Sequence, residues 1–240
     1  MQIRSSLTGA VVGLLTLSAA AAGQDAAARV APKESAREAP QAAKVGDSAP
    51  DFTLLDATGT KHTLSQYKDK VVVLEWVNQE CPWSVKAVPV VNDLHKKYRD
   101  KGVVWLGIES THWRKPEENV RYAKDKEIAY PILMDNDGTV GRLYGAKTTP
   151  HLYVINKGKL VYAGALHNNQ HGDKKDADVR NYVEEALTAV LAGKDVPLPE
   201  TRPWGCSVKY KESKSPPAPE TPRDQPEDGR SKGAPQNDQN

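Results

Sequence analysis

Two cysteines, Cys81 and Cys206, are the residues of this 240-residue chain best suited to covalent chemistry. Cys81 stands in "QECPWSVK", between a strand-like run, "VVVLEWVN", and a helical pattern that begins at Pro82. A cysteine at a helix amino-terminus faces free N–H groups and partial positive charge, which favour the thiolate, the nucleophilic form of the thiol. The carboxyl edge of an open α/β sheet is also where reactive groups gather. Packed inside as a small hydrophobe, the same cysteine would be inert. Ser84 occupies the place where a Cys-x-x-Cys pair would carry its second sulfur, so any partner thiol within the chain has to lie elsewhere.

Three further features bear on that chemistry. Glu75 lies inside the apolar run before Cys81. A buried carboxyl is costly unless paired and its pKa rises, so near a thiol it can exchange protons during thiol–disulfide exchange. On a solvated edge or beside a lysine it would be an ordinary carboxylate. Thr149-Pro150 immediately precedes a strand, where a proline need not donate to the ladder, and the sequence leaves the isomer of that bond open. His151, next to it, reads as a strand residue packing beside the site.

Cys206 lies in "ETRPWGCSVKY", an apolar patch with Trp204, Val208 and Tyr210 between proline-containing stretches. Such a segment is expected to dock, and folding back over the active-site edge would bring Cys206 to Cys81. Three outcomes stand open: a redox-active disulfide, a structural staple, or a free thiol in a mobile arm. His167 and His171 fall in "ALHNNQHGDKK", a loop without zinc-ligand spacing, and neither a metal nor a cofactor is expected.

The elements that must position these residues follow from periodicity. "APDFTLLDATGTKHTLSQY" reads as a β-hairpin turning at Thr58-Gly59, and Val71 to Asn78 as a central strand buried on both faces. Val85, Val88, Val91, Leu94 and Tyr98 gather on one face of a helix that Pro82 opens and Pro89 should kink. A strand at Val103–Ile108, a helix from Pro116 to about Lys126, a strand at Tyr130–Met134 and a helical turn in "GTVGRLYG" come next. A hairpin turns at Lys157-Gly158, and a last helix is expected from Asp176 to Leu191, ending at Gly193. Strands alternating with helices imply parallel crossovers, and the closing hairpin adds antiparallel strands. The fold class is α/β, a three-layer sandwich with a mixed central sheet, helices on both faces and an N-terminal β-hairpin.

Residues 1–23 follow a secretory pattern, with Arg4, an apolar stretch from Leu7 to Ala22 and a small-residue cleavage site. That stretch is too short and interrupted for a membrane span. Residues 24–44 read as a flexible linker, 45–196 as the folded domain, 197–210 as a docking extension carrying Cys206, and 211–240 as a disordered tail. The 33 basic and 31 acidic residues nearly balance, which gives no electrostatic basis for binding nucleic acid.

The order of elements, "ECPWS" at a strand-to-helix junction, Pro89 and "TTP" before the final hairpin together resemble the thioredoxin superfamily. The opening "VGDSAPDFTLLDATGT" is similar to its redoxin and peroxiredoxin branch. The resemblance implies that Cys81 attacks, that Glu75 is the buried acid beneath it, and that Pro150 is a cis-proline facing the site. It also implies that Thr149 pairs with substrate backbone, with Trp83 beside the groove. Two motifs depart from the family pattern: Ser84 replaces the resolving cysteine, and Leu74 and Asn78 replace the Pro and Thr of the peroxidase motif. The expected function is an exported, periplasmic or extracellular, thiol–disulfide oxidoreductase with Cys206 as resolving thiol. Its oxidant would be protein disulfides or peroxide, and its reductant an external thiol. The alternatives are a thiol peroxidase and a non-catalytic binding module with a structural Cys81–Cys206 bond.

Overall fold

The computed structural model describes residues 42–170 and 173–212. The expected leader at 1–23, most of the expected linker, His171 and nearly all of the expected tail lie outside the described residues. Strands β1 (Thr53–Leu55) and β2 (Lys61–Thr63) form the first hairpin as a separate antiparallel sheet. Asp56 shapes its turn: Oδ1 accepts the N–H groups of Thr58 at 2.8 Å and Thr60 at 2.9 Å, the side-chain turn that makes Asp common at such positions.

The main sheet is built from β3 (Val71–Trp76), β4 (Val103–Glu109) and β5 (Ile132–Met134), which run parallel. Helix α1 (Pro82–Arg99) joins β3 to β4, and α2 (Pro116–Asp125) joins β4 to β5. Pro89 lies within α1, which continues through it. After the short α3 (Thr139–Tyr144) and the two-residue β6 (Thr148–Thr149), strands β7 (His151–Asn156) and β8 (Lys159–Gly164) add antiparallel to the other side. The sheet order is β5-β4-β3-β7-β8. Lys157 and Gly158, both with positive φ, make the β7–β8 turn, the backbone that matches strand twist in a two-residue loop.

Strand alternation sorts the core into two layers. Val72, Leu74, Trp76, Leu106, Ile108, Tyr153 and Ile155 meet Phe52, Leu64, Val140 and Tyr144 on one face. Val73, Val77, Trp105, Leu152 and Val154 meet Val88, Val91 and Leu94 of α1, Tyr122 of α2 and Val183 and Leu187 on the other. Glu75 alternates onto this second face, beneath α1. Each fully buried aliphatic contributes about 1.5–3 kcal/mol relative to exposure.

Two expectations need correction. The last helix, α4, spans Tyr182–Leu191; Asp176–Asp178 forms only a separate 3-10 turn. Asn181 starts α4 because its side chain accepts the Glu184 N–H at 3.0 Å, satisfying an orphan donor that the upstream residues leave uncapped. Ala43, assigned to the linker, is instead tied to the domain, its N–H donating to the Leu143 carbonyl at 2.9 Å. Beyond α4 the chain returns to the sheet, and β9 (Cys206–Ser207) pairs antiparallel with β6.

Candidate functional site

Cys81 is the N-cap of α1, with extended backbone (φ −87°, ψ 115°) and Pro82 in the first helical turn. The loop before it is fixed from both sides. The Cys81 N–H donates to the Asn78 carbonyl at 3.0 Å, and the Asn78 N–H donates to Ser84 Oγ at 3.1 Å. Ser84 is fully buried and therefore positions the approach to Cys81 through its hydroxyl. The Cys81 thiol is 1% exposed and donates to the Thr149 carbonyl at 3.0 Å, across a cis Thr149-Pro150 peptide. Thr149 is buried as well.

The carboxyl-terminal segment closes the site. Register places Cys206 opposite Thr149 and Ser207 opposite Thr148. Gly205 makes this approach possible: its φ is +141°, and a Cβ there would stand 2.2 Å from the Thr149 oxygen. Cys206 is half-buried and both cysteines are free thiols. Burial alone would raise the Cys81 thiol; hydrogen bonds from the Cys206 thiol, the Thr149 side chain and the Ser84 and Cys206 backbones outweigh it and hold Cys81 below its ordinary value. Cys206 moves the other way, to about 11, through burial first and then through its bond to Cys81 and that group's charge.

Trp204 anchors the segment on one side of the sulfurs. Its ring meets Trp83 edge-on at 5.7 Å, and its Nε1–H donates to the His167 carbonyl at 3.0 Å. Tyr210 anchors the other side, donating its hydroxyl to the Ala146 carbonyl at 2.8 Å beneath the Arg142 guanidinium. A Cβ at Gly141 would sit 2.3 Å from the Tyr210 hydroxyl, so glycine makes the seat for that ring.

Glu75 is fully buried, and Oε2 accepts from Tyr130 Oη at 2.8 Å and Trp105 Nε1 at 3.1 Å. Desolvation raises its pKa to about 7, against the pull of those two hydrogen bonds. Among the described residues no hydrogen bond joins Glu75 to Cys81. Tyr122, whose buried hydroxyl has no partner, lies in the fields of Glu75, Glu109 and Cys81. Glu109, at the end of β4, is a second buried acid raised by burial to about 7, with Arg114 opposing the rise. Arg114 is itself buried; it pairs with Glu80 at 2.9 Å, Glu118 at 3.4 Å and Glu109 at 3.7 Å. The Gln79 side-chain oxygen accepts from its Nη1 and Nε at 3.0 and 3.1 Å, so one guanidinium braces the Gln79-Glu80 approach to Cys81.

The structure thus gathers Cys81, Cys206, Thr149, Pro150 and Trp83 at one edge, with Glu75 in the layer beneath α1. Among the described residues no hydrogen bond joins His151 to either sulfur. Its Nδ1 accepts the Lys147 N–H at 3.3 Å, and burial, assisted by Lys147, lowers its pKa to about 3. The Cys81–Cys206 pairing stood as one of three open outcomes, whereas Arg114, Gly205 and Gly141 carried no sequence signal beyond residue type. No cluster of three or more potential metal ligands exists among the described residues.

Residues 45–163 match the AhpC/TSA family. The chain is 31% identical over 121 residues to the thiol-disulfide oxidoreductase ResA of Geobacillus thermodenitrificans, covering 50% of this chain and 68% of that protein. It is 30% identical to the thioredoxin-like protein YneN of Bacillus subtilis, covering 55% and 79%. Among solved structures, a hypothetical protein of Sinorhizobium meliloti superposes with a TM-score of 0.64 at 27% identity, over 72% of this chain and 98% of that one. A putative thiol:disulfide interchange protein DsbE of Chlorobium tepidum does so with 0.51 at 26%, over 62% and 98%. With the mixed sheet and a cysteine capping the helix after its central strand, these likenesses settle descent: the chain belongs to the thioredoxin-like redoxin family of the AhpC/TSA type.

Proposed function

We propose that this thiol–disulfide oxidoreductase works through Cys81 as the attacking thiol and Cys206 as the resolving one. The observation that carries the reading is the seat of Cys206 opposite Thr149, the residue whose carbonyl accepts the Cys81 thiol at 3.0 Å. The Cys81 thiolate attacks one sulfur of a substrate disulfide, and the other sulfur leaves as a thiolate that takes up a proton. Cys206 then gives up its proton and attacks Cys81 Sγ. The substrate departs as its second thiol, and a Cys81–Cys206 disulfide remains for an external thiol to reduce.

The paired shifts order these steps. While Cys81 is a thiolate, its charge and its hydrogen bond hold the proton on Cys206. Once Cys81 is tied up in a mixed disulfide both influences vanish, and Cys206 becomes easier to deprotonate when it is needed. Glu75, with a pKa of about 7, can hold or release a proton in the layer beneath the site near neutral pH. Trp83, Thr149 and Pro150 shape the groove. A disulfide is favoured over peroxide as oxidant, because Leu74 and Asn78 stand where the peroxidase motif needs Pro and Thr, and Asn78 spends its Oδ1 on the Glu80 N–H at 2.8 Å. The apolar leader at 7–22 supports export, and no helix among the described residues is long and apolar enough to cross a membrane.

Cys206→Ser tests the assignment. Incubated with a disulfide substrate, the variant should accumulate a covalent adduct on Cys81, seen by intact mass and peptide mapping. Turnover equal to wild type would remove Cys206 from the cycle.

A further inference from the structure

Resolution needs one thiol near Cys81, yet the chain from Pro199 to Lys211 is seated along its length. Pro199 accepts from the Ala163 N–H at 3.0 Å, and Thr201 donates back to the Ala163 carbonyl at 3.1 Å. Beyond Cys206, the Val208 N–H donates to the Lys147 carbonyl at 3.2 Å, and the Lys209 carbonyl accepts from the His112 N–H at 3.1 Å. Arg142 ends the run by donating to the Lys211 carbonyl at 2.8 Å.

This strap fills a strand edge. β6 is only two residues long, and β9 lies along it with Cys206 facing Thr149. A strand edge takes one partner, and an unfilled edge is a template for a passing chain. A polypeptide bringing its own cysteine to Cys81 would run in the same lane, with that cysteine where Cys206 now stands. A compact disulfide needs far less room. A cavity of about 170 Å³ opens between Trp83 and Trp204, two positions from Cys81 and Cys206 respectively, with Lys86, His167 and Asn169 also lining it.

Resting on the attacking role of Cys81, we infer that residues 199–211 are a built-in mimic of an extended, cysteine-bearing substrate, and that this strap sets the specificity of the site. Low-molecular-weight disulfides reach Cys81 when the Cys206 side chain shifts aside. Disulfides carried within a polypeptide are shut out until β9 leaves β6. The chemistry is the same for both: Cys81 thiolate attacks one sulfur, an S–S bond forms as the old one breaks, and the second sulfur departs as thiolate.

The test uses the full-length chain carrying Cys206→Ser, which stops at the adduct, with and without Tyr210→Ala to loosen the strap away from the sulfurs. The probes are cystamine and the symmetrical disulfide of a ten-residue extended peptide with a central cysteine. Adduct formation on Cys81 is followed by quenched mass spectrometry. Tyr210→Ala should speed the peptide adduct at least tenfold and leave the cystamine rate within threefold. Gly205→Ala, whose Cβ cannot fit against Thr149, should likewise favour the peptide and serves if the Tyr210 variant melts early. Peptide reacting as fast as cystamine before loosening, or both rates rising by the same factor, would overturn the strap's role alone. No adduct with either probe would overturn the attacking role of Cys81 and the strap's role with it.

Discussion

Replacing Glu75 by glutamine should change how stability depends on pH, and the size of the change follows from burial. Desolvation raises the Glu75 pKa from an ordinary 4.5 to about 7. The folded chain therefore binds this proton more tightly than the unfolded chain does. Stability from the protonated form is fully present below pH 4.5, is lost as pH rises from about 4.5 to 7, and is constant above that. At about 1.4 kcal/mol per unit, the loss amounts to roughly 3 kcal/mol. Glutamine keeps an oxygen for Trp105 and Tyr130 but cannot ionise. Its amide N–H groups cost about 1–3 kcal/mol if they find no acceptor, a penalty that does not vary with pH. Urea unfolding of the reduced wild type and Glu75→Gln at steps from pH 4.5 to 8 separates the two effects. Relative to the variant, wild type should lose roughly 3 kcal/mol across that window. Glu109, also near 7, contributes a similar slope to both proteins and cancels in the difference. Parallel curves would refute the argument, since they would mean that Glu75 ionises in the folded state as it does in the unfolded one.

Two predictions concern the loop and the sulfurs. Oxidising Cys81 and Cys206 closes a loop of roughly 125 residues, so the oxidised chain should resist urea by up to about 5 kcal/mol more than the reduced one, a gain that Cys206→Ser abolishes. An oxidised form no more stable than the reduced one would place strain in the closed site. Arg114→Met strips Glu109 and Glu80 of their shared cation and frees the Gln79-Glu80 approach. It should cost about 3 kcal/mol of stability and raise the pH midpoint of iodoacetamide alkylation at Cys81, measured in the Cys206→Ser background. An unmoved midpoint with lost stability would leave Arg114 a purely structural residue.

Much of the scaffold could be read locally. The apolar run at β3, the three- and four-residue spacing along α1 and the Lys157-Gly158 turn each depend on side chains within a few positions, so pattern alone located them. Cys81 at a helix start was legible for the same reason: the chemistry of an N-cap is a property of one turn of chain. Local pattern misled at Asp176, where the helix was expected to start, because the side chain that caps the helix is Asn181.

The site itself was decided by tertiary structure. Nothing in "WGCSVKY" states that it will lie on Thr148–Thr149, because that pairing depends on how β7, β8 and α4 turn the chain back across the sheet. Nor does the run around Glu75 reveal that Trp105 and Tyr130, from β4 and the loop before β5, supply its two donors. The sequence by itself determined that the chain has two thiols, which strand and helix carry Cys81, and that Cys206 is the one other thiol it offers. The fold decided that Cys81 is the covered thiol and Cys206 the half-exposed one, because burial and strand pairing sum contributions from segments far apart in the chain, which no local pattern records.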